Sequence, residues 1–109
     1  MSNNTSDLAQ EDVKQALDRA VQSEKGVRIT FKSGSPEANS AVATATRARM
    51  HRVRVLDRKN STAIYPADHP MHGRSSWDIL FIQKVANSDG SAELRITKGG
   101  LANFILEDL

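Results

Sequence analysis

The sequence predicts a small α+β domain: a three-stranded, mainly antiparallel sheet packed by an N-terminal helix and a long basic helix. Three observations support this fold class. The 109 residues suffice for one core but not for two. Hydrophobic residues make up 39% of the chain and charged residues 26%, as in globular proteins. Helical and strand-like periodicities occupy separate segments. We expect residues 1–6 to form a flexible arm and residues 7–109 to form the single domain.

The first two elements are predicted from their hydrophobic spacing. Val13 and Leu17 lie on one face of a helix over about residues 7–23. Gly26 then ends the helical pattern. Apolar and polar side chains alternate over residues 27–32, the period of a strand with one buried and one solvated face.

The second helix has a clear predicted start. Ser35 suits the N-cap, Pro36 the first helical position and Glu37 the first turn, where an acid is favoured by the helix dipole. At 100° per residue, the following apolar residues share one arc: Ala38, Ala41, Val42, Ala45, Ala48, Val53, Val55 and Leu56. Four cationic positions lie opposite, as an expected exposed stripe: Arg47, His51, Arg54 and Arg58.

Two alternatives remain open within this helix. Residues 50–56 also alternate like a strand, although the well-capped start favours one continuous helix. Arg49 and Arg52 fall inside the predicted apolar arc. Their long stems either pass the neighbouring alanines to reach solvent, or their charges meet acids or ligand phosphates at the edge of the core.

The remaining elements follow from turn residues and apolar runs. Residues 60–76 are predicted to be a long loop, which is typical of functional or mobile segments. Residues 77–85 form the most apolar stretch and predict a central strand. A turn at 87–91, with Asp-Gly, leads to a returning strand at 92–98. Residues 101–109 show helical spacing and predict a short docked helix.

The positive charge is concentrated in the middle third of the chain. Residues 26–60 carry eight basic and two acidic side chains, whereas the whole protein has a net charge of only +2. Such a concentration indicates a polyanionic partner. We therefore predict a non-catalytic nucleic-acid-binding protein, DNA being favoured, that contacts phosphates through its arginine-rich helix. The predicted contact residues are Arg28, Lys32, Arg47, His51, Arg54, Arg58, Lys59 and Arg74.

Two other interpretations of this charge are kept. The arginine face can simply be a solvated surface. It can also belong to a small regulatory or inhibitory module that docks on an acidic surface of a larger protein, since arginine is enriched at protein interfaces as well. The two binding functions differ in their salt dependence and in the number of partners.

Catalytic and metal chemistry find little support in the sequence. His69 and His72, with Asp68 and Asp78 nearby, have side chains that suit a metal or a general base, but a Pro-containing loop leaves their geometry undetermined. The loop is expected either to be structural or to contact phosphates. Trp77 is positioned for the core rather than for stacking on a base. We expect no metal, no cofactor and no enzymatic activity.

The composition excludes further classes. The absence of cysteine rules out disulfides, thiolate nucleophiles and cysteine-based zinc sites. No apolar run approaches the ~20 residues of a membrane span, and the largely polar N-terminus shows no cationic apolar leader. A cytoplasmic location without a membrane partner is the expectation, and the sequence does not predict an oligomeric state.

Overall fold

The computed structural model describes residues 10–98, and the expected arm at 1–6 and helix at 101–109 lie outside them. The predicted small α+β fold is confirmed. In chain order the elements are α1 (Gln10–Gln22), β1 (Val27–Phe31), α2 (Pro36–Ile64), a 3-10 helix (Ser76–Ile79), β2 (Leu80–Ala86) and β3 (Ala92–Lys98).

The sheet has the order β1-β3-β2, and both neighbouring pairs are antiparallel. In the central strand β3, Leu94 lies opposite Ile29 of β1 and Lys84 of β2. Alternation along the strands directs one set of side chains toward the helices. The other set forms an open face, where Arg28 and Arg95 lie opposite each other and are exposed.

Both helices pack on the same face of the sheet. Val13 and Leu17 of α1 and Met50 of α2 are fully buried against Leu94 and Ile96 of β3. Burying a large aliphatic side chain contributes roughly 1.5–3 kcal/mol, so this layer provides most of the hydrophobic stabilisation. The apolar spacing predicted for α1, the alternation predicted for β1 and the returning strand at 92–98 are confirmed.

The helix α2 is continuous over 29 residues, so the strand interpretation of residues 50–56 is wrong. Its start is as predicted, because the Ser35 side chain accepts a hydrogen bond from the Ala38 N–H and Pro36 occupies the first turn. Its end at Ile64 lies inside the predicted 60–76 loop, which shortens that loop. Within residues 10–98 no helix is long and apolar enough to cross a membrane.

The predicted apolar arc of α2 is wrong except at Val53, which is buried in the core. Most of its alanines are exposed, and Val55 and Leu56 are 56% and 50% exposed. The buried face instead contains Asn39, Ala43, Thr46, Met50, Val53, Arg54 and Ser61. Two of the polar side chains on it bind backbone outside the helix: Asn39 Nδ2 donates to the carbonyls of Gly34 and Gly90, and Arg54 donates to those of Trp77 and Leu80. Ser61 bonds the Arg58 carbonyl of its own helix, and the Thr46 hydroxyl is buried without a partner. The helix is thus rotated relative to the alanine pattern.

The predicted strand at 77–85 begins later than expected. Ser75 and Asp78 form a capping box that starts the 3-10 helix, so β2 begins only at Leu80. The core position predicted for Trp77 is confirmed, since this residue is 8% exposed. Its indole Nε1 donates to Asp18 Oδ1 of α1 at 2.7 Å, which ties α1 to the start of β2.

We expect Gly26→Ala to destabilise the fold much more than Gly73→Ala. Both glycines have positive φ, at 88° and 74°, where a Cβ costs about 1–2 kcal/mol. At Gly26 the added Cβ would also lie 2.4 Å from the Ile96 carbonyl oxygen, whereas at Gly73 the nearest atom is 3.9 Å away. Urea unfolding should show a loss of roughly 3 kcal/mol or more at Gly26 and about 1–2 kcal/mol at Gly73. Equal losses would contradict the close contact with β3.

Candidate nucleic-acid interface

A groove of about 430 Å³ lies between α2 and the edge strand β2, and we call it the α2–β2 groove. Helical spacing brings four predicted cationic residues to its helix side, because positions three or four apart share a face. These residues are Arg47, His51, Arg54 and Arg58. The remaining lining residues are Val55 of α2 and the segment from Asp78 to Ile82. The groove therefore combines positive charge with apolar surface.

Arg54 forms the floor of this groove and is only 8% exposed. Its Nη1 donates to the carbonyls of Trp77 and Leu80, at 3.1 and 3.0 Å, and its Nη2 donates to His51 Nδ1 at 2.9 Å. Burial lowers the pKa of Arg54, the Arg58 charge lowers it further, and Asp78 opposes the shift. The prediction that Arg54 lies on an exposed stripe is wrong, because its donors hold buried backbone.

His51 is exposed at the wall of the groove and is held as a neutral imidazole. Its Nδ1 accepts the hydrogen bond from Arg54, so in the neutral ring the proton is on Nε2. Burial is the largest cause that lowers the pKa of His51, followed by the positive charges of Arg54, Arg47 and Arg58. At neutral pH the positive charge on the wall of the groove is therefore carried by its arginines.

Arg58 is paired with the acid of the groove. Its Nε donates to Asp78 Oδ1 at 2.6 Å, and the two side chains are 45% and 30% exposed. The other oxygen of Asp78 accepts from the Ser75 N–H, which fixes the carboxylate at the start of the 3-10 helix. An exposed ion pair is worth at most about 1 kcal/mol, so an incoming phosphate can compete for Arg58.

The other arginines of α2 are arranged differently from the prediction. Arg52 was expected inside the apolar arc but is exposed, and Arg49 is half-buried. Lys59 is exposed and lies about two turns beyond Arg52 on the same outer side of the helix. Burial at Arg54 and exposure at Arg52 reverse the expected arrangement of these two residues.

Besides Lys59, three predicted contact residues lie outside the α2–β2 groove. Arg28 is on the open face of the sheet, where it borders a depression together with Arg95. Lys32 is exposed just after β1, and Arg74 is exposed in the loop between Ile64 and the 3-10 helix. The structure therefore brings together Arg47, His51, Arg54 and Arg58 but leaves Arg28, Lys32, Lys59 and Arg74 apart from them.

The loop histidines make local contacts. His72 Nδ1 donates to the Tyr65 carbonyl at 2.9 Å, and His69 Nδ1 accepts from the Met71 N–H at 3.0 Å. The rings of Tyr65 and His69 stack with centroids 4.4 Å apart. Over residues 10–98, no group of three or more His, Asp or Glu side chains converges on a possible metal position. Both histidines therefore stabilise the conformation of the loop itself.

The sequence did not indicate the non-polar part of the groove. Phe81 and Ile79 form this part and are 55% and 47% exposed. The sequence also did not indicate that Asp78 places a carboxylate in the groove. Leu80, Phe81 and Ile82 are all apolar, so no alternation of polar and apolar residues marks Phe81 as exposed. The sequence predicts a central strand here, whereas β2 is an edge strand.

Comparison of the chain with protein-family models, curated protein sequences and solved structures finds no match. The functional assignment therefore depends on the residues themselves. The α2–β2 groove presents fixed cations beside an apolar wall, an arrangement suited to binding an anionic ligand that also has apolar surface.

We expect Arg54→Ala to unfold the protein at lower urea concentration, with a loss of about 2–4 kcal/mol. The substitution removes the charged donor that the carbonyls of Trp77 and Leu80 share, and a hydrogen bond to a charged group contributes about 1.5–3 kcal/mol. The Trp77 carbonyl keeps its bond from the Leu80 N–H. The matched control is Arg52→Ala, which removes the same charge from an exposed position and should change stability by less than about 0.5 kcal/mol. Similar losses in both variants would refute the structural role of Arg54.

We expect His51 to make stability fall as the pH is lowered. Its pKa in the folded protein lies below the ordinary value of 6.5, so the unfolded chain binds protons more readily in this range. Its contribution is fully present above pH 6.5 and is lost as the pH falls toward the folded pKa. The variant His51→Asn keeps an acceptor for Arg54 but does not titrate. Thermal melts between pH 8 and 5 should be flatter for this variant, and parallel curves would contradict the assignment.

Proposed function

We propose that the protein binds nucleic acid without catalysis, with DNA as the favoured form and the α2–β2 groove as the phosphate-binding site. One observation carries this proposal: Arg47, His51 and Arg58 line a single groove on a helix that has six basic and two acidic residues. The planar guanidinium of arginine binds two phosphate oxygens at once, which suits this role. We also propose that the protein is cytoplasmic and that its partner is nucleic acid.

The contribution of each groove residue follows from its surroundings. Arg47 is exposed and directs positive charge into the groove. Arg58 contributes when a phosphate replaces or joins Asp78 as its partner. Arg54 holds the backbone and thus shapes the site. Two direct phosphate contacts are therefore expected from α2 within the groove.

A second candidate function is docking on an acidic surface of a larger protein. It is favoured by the outer side of α2, where Leu56 is 50% exposed and lies one turn from both Arg52 and Lys59. Apolar side chains interleaved with arginine are typical of protein interfaces. This function uses the outer side of the helix, so it can be separated from the groove by mutation.

We expect the double variant Arg47→Ala with Arg58→Ala to flatten the salt dependence of nucleic-acid binding. Each lost phosphate contact lowers the slope of log K against log salt by about 0.9 for duplex DNA or about 0.7 for single strands. Two contacts therefore predict a decrease of about 1.4–1.8. Fluorescence anisotropy with labelled oligonucleotides at several salt concentrations measures this slope, and thermal melts confirm folding.

The matched control is Arg52→Ala with Lys59→Ala, which removes the same charge from the outer side of α2. Its slope should remain close to that of the unchanged protein. If both double variants flatten the slope equally, the groove is not the site. If neither the protein nor its variants bind oligonucleotides but an acidic polypeptide binds, the second candidate function is correct.

A further inference from the structure

Phe81 is an aromatic side chain that the fold exposes. It is 55% exposed on the edge strand β2, where pairing with Thr97 of β3 fixes its backbone. Ile79, at the end of the preceding 3-10 helix, is 47% exposed in the same groove. Trp77, two residues earlier, is buried instead. Exposed apolar surface of this kind marks a binding site when it is grouped and bordered by polar residues.

The position of Phe81 relative to the arginines defines the kind of ligand. Phe81 lines the same groove as Arg47 and Arg58, so one ligand can contact the ring and the cations together. An unpaired nucleotide has both required parts, a flat base for the ring and a phosphate for the guanidinium groups. Proteins that bind single strands combine these two contacts, an aromatic platform and a cationic groove.

A duplex uses this groove poorly. Its bases are stacked on each other, so only their edges and the phosphates are available to a protein. The face of Phe81 would then remain exposed to solvent, and only the cations at the rim of the groove would bind. The groove volume of about 430 Å³ is instead in the range of sites that enclose a small planar group.

We propose that the α2–β2 groove binds single-stranded nucleic acid, with one base stacked on Phe81 and the adjoining phosphate on Arg47 or Arg58. This inference rests on the proposed function, because it specifies which form of nucleic acid the cationic groove takes. It assigns a specific role to Phe81, a residue that the hydrophobic core does not need.

The first experiment measures anisotropy with a labelled oligothymidine of about 12 nucleotides and with a hairpin duplex of matched phosphate number. The unchanged protein should bind the single strand more tightly than the duplex. Phe81→Ala should weaken single-strand binding about 5- to 100-fold, the range expected for one lost stack. Duplex binding and both salt slopes should stay within error, because no charge is removed.

The matched control is Ile64→Ala, which shortens an apolar side chain that is 70% exposed and lies outside the groove. It should leave both affinities unchanged. The variant Phe81→Trp should keep single-strand affinity within about threefold, and its emission should be quenched by the oligonucleotide, because bases stack on indole as well. In the unchanged protein the only tryptophan, Trp77, is buried and gives the reference emission.

Equal weakening of single-strand and duplex binding by Phe81→Ala overturns the inference, as does no weakening at all. Failure of the inference and failure of the proposed function give different results. If Arg47→Ala with Arg58→Ala flattens the salt slope while Phe81→Ala has no effect, only the stacking inference fails. If the protein binds polyglutamate and neither oligonucleotide, both fail, and docking on an acidic protein replaces them.

Discussion

The position of α2 against the sheet depends on the guanidinium of Arg54. This group donates to the carbonyls of Trp77 and Leu80, where the 3-10 helix passes into β2. A buried cation costs free energy unless its donors are used, and here every contact has good hydrogen-bonding distance. Because Trp77 in turn donates to Asp18, the same connection reaches α1. One arginine thus joins three elements and sets the width of the groove above it.

Polar side chains also determine how α2 is rotated about its own axis. A helix rich in alanine offers several similar apolar faces, and packing alone selects weakly among them. Asn39 fixes the rotation of the helix near its start by donating to the carbonyls of Gly34 and Gly90. Arg54 fixes it near the middle of the helix by donating to the Leu80 carbonyl. Each donor reaches its carbonyl in only one rotation of the helix. Any other rotation would bury polar groups without hydrogen-bond partners. The exposed alanines are a consequence of this selection.

The elements that local chemistry determines were predictable from the sequence. The alternation over 27–32, the cap at Ser35 and the Asp-Gly turn at residues 87–91 each produced the expected structure. The buried face of α2 and most of the groove were not predictable, because the partners of Arg54 are 23 and 26 residues away. Hydrophobic periodicity carries no information on such partners, and it even assigned Arg54 to the solvent side. The shared face of Arg47 and Arg58 was correctly expected, since helical spacing alone determines it.

The strand order has a consequence for how the chain acquires its structure. The central strand β3 is the last element along residues 10–98, and β1 and β2 pair only with it in this part of the chain. Until residues 92–98 have been synthesised, neither earlier strand has a partner in this sheet. Closing the pairing between β1 and β3 then joins segments more than 60 residues apart, an entropically costly step. Assembly of the sheet therefore waits for β3, the strand with which both of the others pair.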